Sequence, residues 1–160
     1  MLEPSLMKWM LIAGALGSGV TGGIFFAFSA FIMTSLATIP IESGVAAMNA
    51  INRVILRSWF MPVFLGMVAV SAVLVILAVR QWSLGSGNLV IAGAALYVLA
   101  TFVSTILFNV PLNDRLAAFQ GNETAAAEVW ATYLEEWILW NHVRTISSLA
   151  ASVAFMAAIR

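Results

Sequence analysis

Four long stretches of this chain are almost free of charge, and that pattern constrains the fold more than any motif does. Residues 9–33, 59–79 and 88–108 carry no Asp, Glu, Lys or Arg, and 138–159 contains only Arg144 and the single His142. A helix needs about 20 mostly apolar residues to cross a hydrocarbon layer roughly 30 Å thick. In lipid the backbone must satisfy its own hydrogen bonds, which leaves helices or closed barrels. Only 9% of the residues are charged and 62% are hydrophobic, against about 25% and 45–50% in soluble domains. A water-soluble globule is thereby excluded, and membrane lipid is the expected surrounding. The first run is longer than the roughly 7–15 residues of a secretory h-region, and Glu3 and Lys8 flank it rather than a basic cluster. It is expected to be retained as a span.

The connections are unequal. Residues 80–87 read as a tight Gly/Ser turn between the second and third spans. In the first long connection Pro40 stops a helix, and 41–58 reads as amphipathic. Met48, Ile51, Val54 and Ile55 recur at helical spacing, with Asn49, Asn52, Arg53 and Arg57 on another face. This helix is expected to run directly into the second span. In the second long connection Pro111 is expected to kink or interrupt the chain, which then breaks at Gln120-Gly121-Asn122. No Pro or Gly follows, so 123–159 predicts one helix of roughly 55 Å that protrudes from the membrane. The expected architecture is all-α: one membrane domain over 1–160, a four-helix bundle with an amphipathic helix and a protruding fourth helix forming a polar cap. The cap collects every acid except Glu3. Lys and Arg near span ends tie between the two faces, and cytoplasmic termini are the expectation.

Polar groups at membrane depth are costly and mark candidate sites. Trp137, Asn141, Arg144 and Ser148 stand at i, i+4, i+7 and i+11, on one face of the fourth span, with His142 about 100° from Asn141. Tyr97, Thr101, Thr105 and Asn109 step by four along the third span, and Asn113 follows. These stripes predict a pocket in which Arg144 and the asparagines converge on a polar or anionic group. The plainer alternatives are an arginine that snorkels to headgroups and hydroxyls and amides that bridge helices. His142 is the one imidazole, suited to proton abstraction near neutrality. Gly14, Ser18 and Gly22 have small-xxx-small spacing, which favours close packing and permits a homo-oligomer. Phe25, Phe26, Phe28 and Phe31 form a ring-rich stretch, and Trp9, Trp59, Trp82, Trp137 and Trp140 sit near span ends, as an interfacial belt would.

The chain has no cysteine, which excludes disulfides, thiolate metal sites and thiol catalysis within it. Seven basic residues balance seven acids, so nothing points to nucleic acid. Glu135 and Glu136 are adjacent and diverge on a helix, so they form no facing catalytic pair. No metal site is expected.

FFAFSAFIM, MNAINRVILRSWFMPVF, FNVPLND and WILWNHVRT, in this order over residues 22–148, resemble the anthrone oxygenase family. The resemblance implies a four-helix membrane protein and, for some members, a monooxygenase-type oxidoreductase converting an anthrone to an anthraquinone with molecular oxygen; because the enolate of an anthrone is electron-rich enough to react with oxygen without metal or flavin, no cofactor is expected. By motif it marks Asn52, Arg53, Asn109, Pro111, Asn113, Trp137, Asn141 and Arg144. Arg144, Asn141 and His142 are the expected catalytic group. Asn109, Asn113, Asn52, Arg53, Trp137 and Tyr97 are the expected contacts to an aromatic or otherwise hydrophobic small molecule. The rival expectation is a non-enzymatic membrane protein that holds a lipid, quinone or hydrophobic metabolite for a partner. A transporter is disfavoured by the single intramembrane charge and the lack of an inverted repeat.

Overall fold

The computed structural model describes residues 4–80, 86–119, 121 and 123–159, and every regular element among them is helical. α1 (Pro4–Ala27) continues through a π turn, Phe28–Ile32, into α2 (Met33–Ala37). After Pro40 comes α3 (Ile41–Ile55), then α4 (Phe60–Arg80). α5 (Gly87–Ala95) passes through two π segments, Leu96–Val103 and Thr105–Asn109, into α6 (Val110–Ala118), and α7 (Glu123–Ala158) ends the fold. The expected turn at 80–87 and the break at 120–122 lie largely outside the described residues.

Three rods are long and apolar enough to cross a membrane: Ser5–Ala37, Phe60–Arg80 and Gly87–Ala118. The fourth stretch, 138–159, is not among them, because Asn141, His142, Arg144, Thr145 and three serines dilute its apolar character. Most of those polar residues are buried on the inner face of α7. α7 packs along α1 and α5, and α4 packs on the same two helices. α1 and α7 run in opposite directions, as the bonds from Ser152 to the Ala15 carbonyl and from Asn141 to the Phe25 carbonyl show.

Glycine sets the closeness of two of these approaches. A Cβ on Gly22 would stand 2.9 Å from Leu149 Cδ2 and 3.2 Å from the Leu149 backbone nitrogen. On Gly93 it would stand 2.9 Å from Phe155 Cε1. Small residues at helix crossings matter here because lipid tails solvate Leu as well as protein does, so association relies on close packing. The first buried cluster lies around these contacts and includes Leu74, Tyr97 and Phe155. The second holds Met33, Met48, Leu112, Leu116, Trp130, Tyr133 and Trp137, where α3 and α6 pack on the first half of α7.

Two local expectations are corrected. α3 does not run into α4: Arg57 N bonds the Val54 carbonyl, Ser58 N bonds the Ile55 carbonyl, and the chain turns. Ser58 enforces the break, since its Oγ donates to the Ile55 carbonyl and accepts from Phe60 N, capping the start of α4. Pro111 does not interrupt the third rod, because it stands in the first turn of α6, where a missing N–H is tolerated.

Candidate functional site

The π winding decides which side chains reach the interior. In an α-helix, steps of four residues drift by about 40° each. A π segment closes i→i+5 bonds and turns less per residue, which offsets that drift. Tyr97, Thr101 and Asn109 therefore all remain buried along one wall. Thr101 Oγ1 lies 2.7 Å from Ser147 Oγ and 3.0 Å from Ser148 Oγ, tying the wall to α7. Asn109 Nδ2 donates to the Trp137 carbonyl at 3.2 Å, which fixes its amide orientation and leaves Oδ1 buried without a partner.

Arg144 is the centre of the arrangement. Its side chain is only 4% exposed, and among the described residues no carboxylate pairs with it. The guanidinium carbon lies 4.2 Å from the Phe25 ring centre and 4.9 Å from that of Trp137. Such ring faces attract a cation, by roughly 2 kcal/mol or more when desolvated. Nη2 donates to Asn141 Oδ1 at 2.7 Å, and Nε has no partner. Asn141 is itself held by donation to the Phe25 carbonyl at 2.7 Å and to Ser29 Oγ at 2.6 Å. The charge is thus positioned but not neutralised, with one donor left over.

About three and two turns before Arg144 on α7, Tyr133 Oη and Trp137 Nε1 both donate to Asn113 Oδ1, at 2.8 and 3.0 Å. Trp130, Tyr133 and Trp137 stack in sequence, at 5.6 and 6.1 Å between centres. Burial pushes the Tyr133 hydroxyl well above the ordinary phenol range, and the neighbouring Asn52 and the Arg144 charge pull it back in part. On α3, Asn49 Oδ1 and Asn52 Nδ2 are buried without hydrogen bonds, although Asn52 lies beside Tyr133. One acceptor and two donors, Asn109 Oδ1, Asn52 Nδ2 and Arg144 Nε, are therefore unsatisfied around these rings, and Asn49 Oδ1 is unsatisfied on α3.

Of the residues expected at the site, Arg144, Asn141, Asn109, Asn113, Trp137 and Asn52 come together in this bonded region. His142 and Arg53 are exposed on their helices, away from it. Tyr97 belongs to the apolar cluster, with its hydroxyl donating to the Phe64 carbonyl at 3.1 Å and 3.3 Å from Thr21 Oγ1. Trp137 is buried, so it is not part of an interfacial belt, whereas Trp9 and Trp59 are exposed as a belt requires. Trp82 lies outside the described residues. Sequence reasoning missed Tyr133, although it stands four residues before Trp137 on the same stripe, and the stripe simply extends one turn further. Asn49 was visible only as part of a polar face.

Among the described residues no cluster of His, Asp or Glu is arranged to hold a metal ion. The unsatisfied groups suit an organic ligand bearing an oxyanion and hydroxyl or carbonyl oxygens, bound between aromatic faces. No curated protein and no solved structure matches the chain. The model of one family, described as anthrone oxygenase, does match, over residues 56–154. That stretch contains Asn109, Asn113, Tyr133, Trp137, Asn141 and Arg144, and its extent shows that the chain belongs to the anthrone oxygenase family.

Proposed function

We propose that this protein is a four-helix membrane bundle, α7 supplying the fourth span, and that it oxidises an anthrone-like aromatic ketone with molecular oxygen. A polar cap of α3, α6 and the first half of α7 covers one membrane face, and the termini lie on the cytoplasmic side. The observation that carries the reading is Arg144, a buried cation with no anionic partner, a free Nε–H and two aromatic faces around it.

The chemistry follows from the substrate class. The methylene of an anthrone is acidic because its anion is an enolate delocalised into the ketone. Arg144 binds the enolate oxygen and so favours loss of the proton to a single tightly held water. His142, exposed on α7, does not serve as the base. The electron-rich carbanion carbon then takes up oxygen. In the balance, one oxygen atom becomes the new carbonyl, and the other leaves as water with the two methylene hydrogens. Asn141 holds the guanidinium, and Asn109 Oδ1 accepts from a substrate hydroxyl. Preorganised donors aimed at a developing oxyanion are worth several kcal/mol when water is excluded.

The test is oxygen uptake and quinone absorbance with an anthrone and the detergent-purified chain, with boiled protein as the autoxidation control. Native protein should accelerate conversion, and Arg144→Ala should lower the rate by about 100-fold or more, as loss of an oxyanion donor does. Equal rates in all three samples would overturn the reaction. Tight binding of an anthraquinone without oxygen uptake would leave a carrier of hydrophobic metabolites.

A further inference from the structure

A groove of about 380 Å³ lies between α6 and α7, outside the Arg144 cluster. Buried Leu112 and Leu116, with half-buried Val129, make its floor, and exposed Arg115, Glu128 and Thr132 make its rim. Small-molecule sites typically have about 300–1,000 Å³ and this kind of apolar floor with a few polar groups. Tyr133 lines the groove as well. The same side chain belongs to the buried cluster: its hydroxyl bonds Asn113 Oδ1, which also accepts from Trp137, and the Trp137 ring lies against the Arg144 guanidinium. One tyrosine thus joins a groove open to solvent to the bonded cluster that leads, through Trp137, to the buried cation.

We propose that this groove is an outer station of the binding site, where an aromatic ligand carrying an oxyanion docks from water, and that Tyr133 is the door through which it passes to Arg144. The proposal rests on the reading of Arg144 as an anion-binding residue. Arg144 is too buried to meet any ligand unless a side chain moves, and Tyr133 is the side chain that both lines the groove and belongs to the bonded cluster. It is held shut by one side-chain hydrogen bond, to Asn113, and by stacking between Trp130 and Trp137. Swinging it outward leaves those two rings as walls and uncovers the unsatisfied Asn52 Nδ2. A ligand that first lies on Leu112, Leu116 and Val129 keeps its ring covered while its oxyanion turns toward the guanidinium.

The absence of cysteine from the chain gives a test that needs no turnover. Asn109→Cys and, separately, Asn52→Cys place one thiol in the cluster and leave the Asn113 bond to Tyr133 intact, and Glu136→Cys, on an exposed position of α7, is the reference. Each full-length variant in detergent is reacted with an anionic and with a cationic methanethiosulfonate reagent. Relative to Glu136→Cys, the cluster thiols should prefer the anionic reagent by about tenfold, because an uncompensated buried charge concentrates anions. Adding Thr132→Trp, which fills the groove from its rim, should slow that labelling at least about tenfold, as obstructed docking slows association. Adding Tyr133→Ala instead should speed it. Labelling unchanged by Thr132→Trp in either thiol variant, or slow labelling that Tyr133→Ala does not relieve, would overturn the proposal. A chain that passes this test yet leaves anthrone unoxidised loses the reaction and keeps the anion route. A chain that oxidises anthrone yet fails the test loses only the groove.

Discussion

The interior of this protein is built on two different rules at its two ends. Around Leu74 and Phe155 the surfaces are apolar and closely fitted, glycines admit the neighbouring rings, and the Tyr97 hydroxyl finds a carbonyl. Around Arg144 the surfaces are aromatic and amide, and three polar atoms, of Asn52, Asn109 and Arg144, lack partners. Buried polar groups are nearly always bonded, so a concentration of exceptions needs a reason. The comparison teaches that the first end supplies stability, while the second gives some up, which is the cost that the proposed ligand site would carry.

The largest expected effect lies at the fitted end. Phe155 is fully buried and wedged against Gly14 and Gly93. Phe155→Ala should cost about 3–5 kcal/mol of unfolding free energy, the usual outcome of emptying a core ring site. Denaturant unfolding in detergent measures it, and a loss below about 1 kcal/mol would show that the helices collapse into the space. The opposite sign is expected at the other end. Arg144→Met removes an uncompensated buried charge and keeps its volume, so stability should hold or rise by up to about 3 kcal/mol while turnover is lost. A marked drop in melting temperature would place Arg144 with the structural residues and erase the distinction between the ends.

The fitted end was the more legible of the two in the sequence, because spans and small-residue spacing follow from one-dimensional patterns. Residues 9–33 and 88–108 fall within an observed rod, and 59–79 does so except for Trp59, which stands in the turn before it. The stripe of Trp137, Asn141, Arg144 and Ser148 was also legible, and so was the position of His142 off that stripe. What escaped has physical causes. The π segments that keep Tyr97, Thr101 and Asn109 on one wall leave no local signature, and Ser58 ends α3 by hydrogen bonds that no hydropathy pattern records. Whether an amide is satisfied depends on what lies across the interior. The unpartnered atoms of Asn49, Asn52 and Asn109 could therefore be found only in three dimensions.

Tyr133 offers a test of intermediate size, on the boundary between the open end and water. Its raised pKa means that the fold prefers the neutral phenol. That preference contributes stability in full below the unfolded pKa of about 10 and is lost as pH rises beyond it. The loss is up to about 1.4 kcal/mol per pH unit for one group. Tyr133→Phe has no such proton, but it gives up the bond to Asn113, worth about 1 kcal/mol. The native chain should therefore be the more stable one at pH 8, match the variant near pH 11 and fall below it beyond. Parallel stability curves over that range would mean that the hydroxyl is solvated in the folded state and is no closed door.

The smallest expected effect concerns the exceptions within the fitted end. Ser18 and Ser71 are fully buried, on α1 and α4, and neither Oγ has a partner. If that end is governed by fit alone, each hydroxyl only adds a desolvation cost. Ser71→Ala should then raise stability, by up to about 1 kcal/mol, and the gains of Ser18→Ala and Ser71→Ala should add. A loss in both variants, with a coupling energy between them, would show that the two hydroxyls share a bound water, since a buried water needs several polar partners. Polar recognition would then extend from Arg144 into the depth of the apolar end, and the boundary between the two ends would lie beyond Ser71.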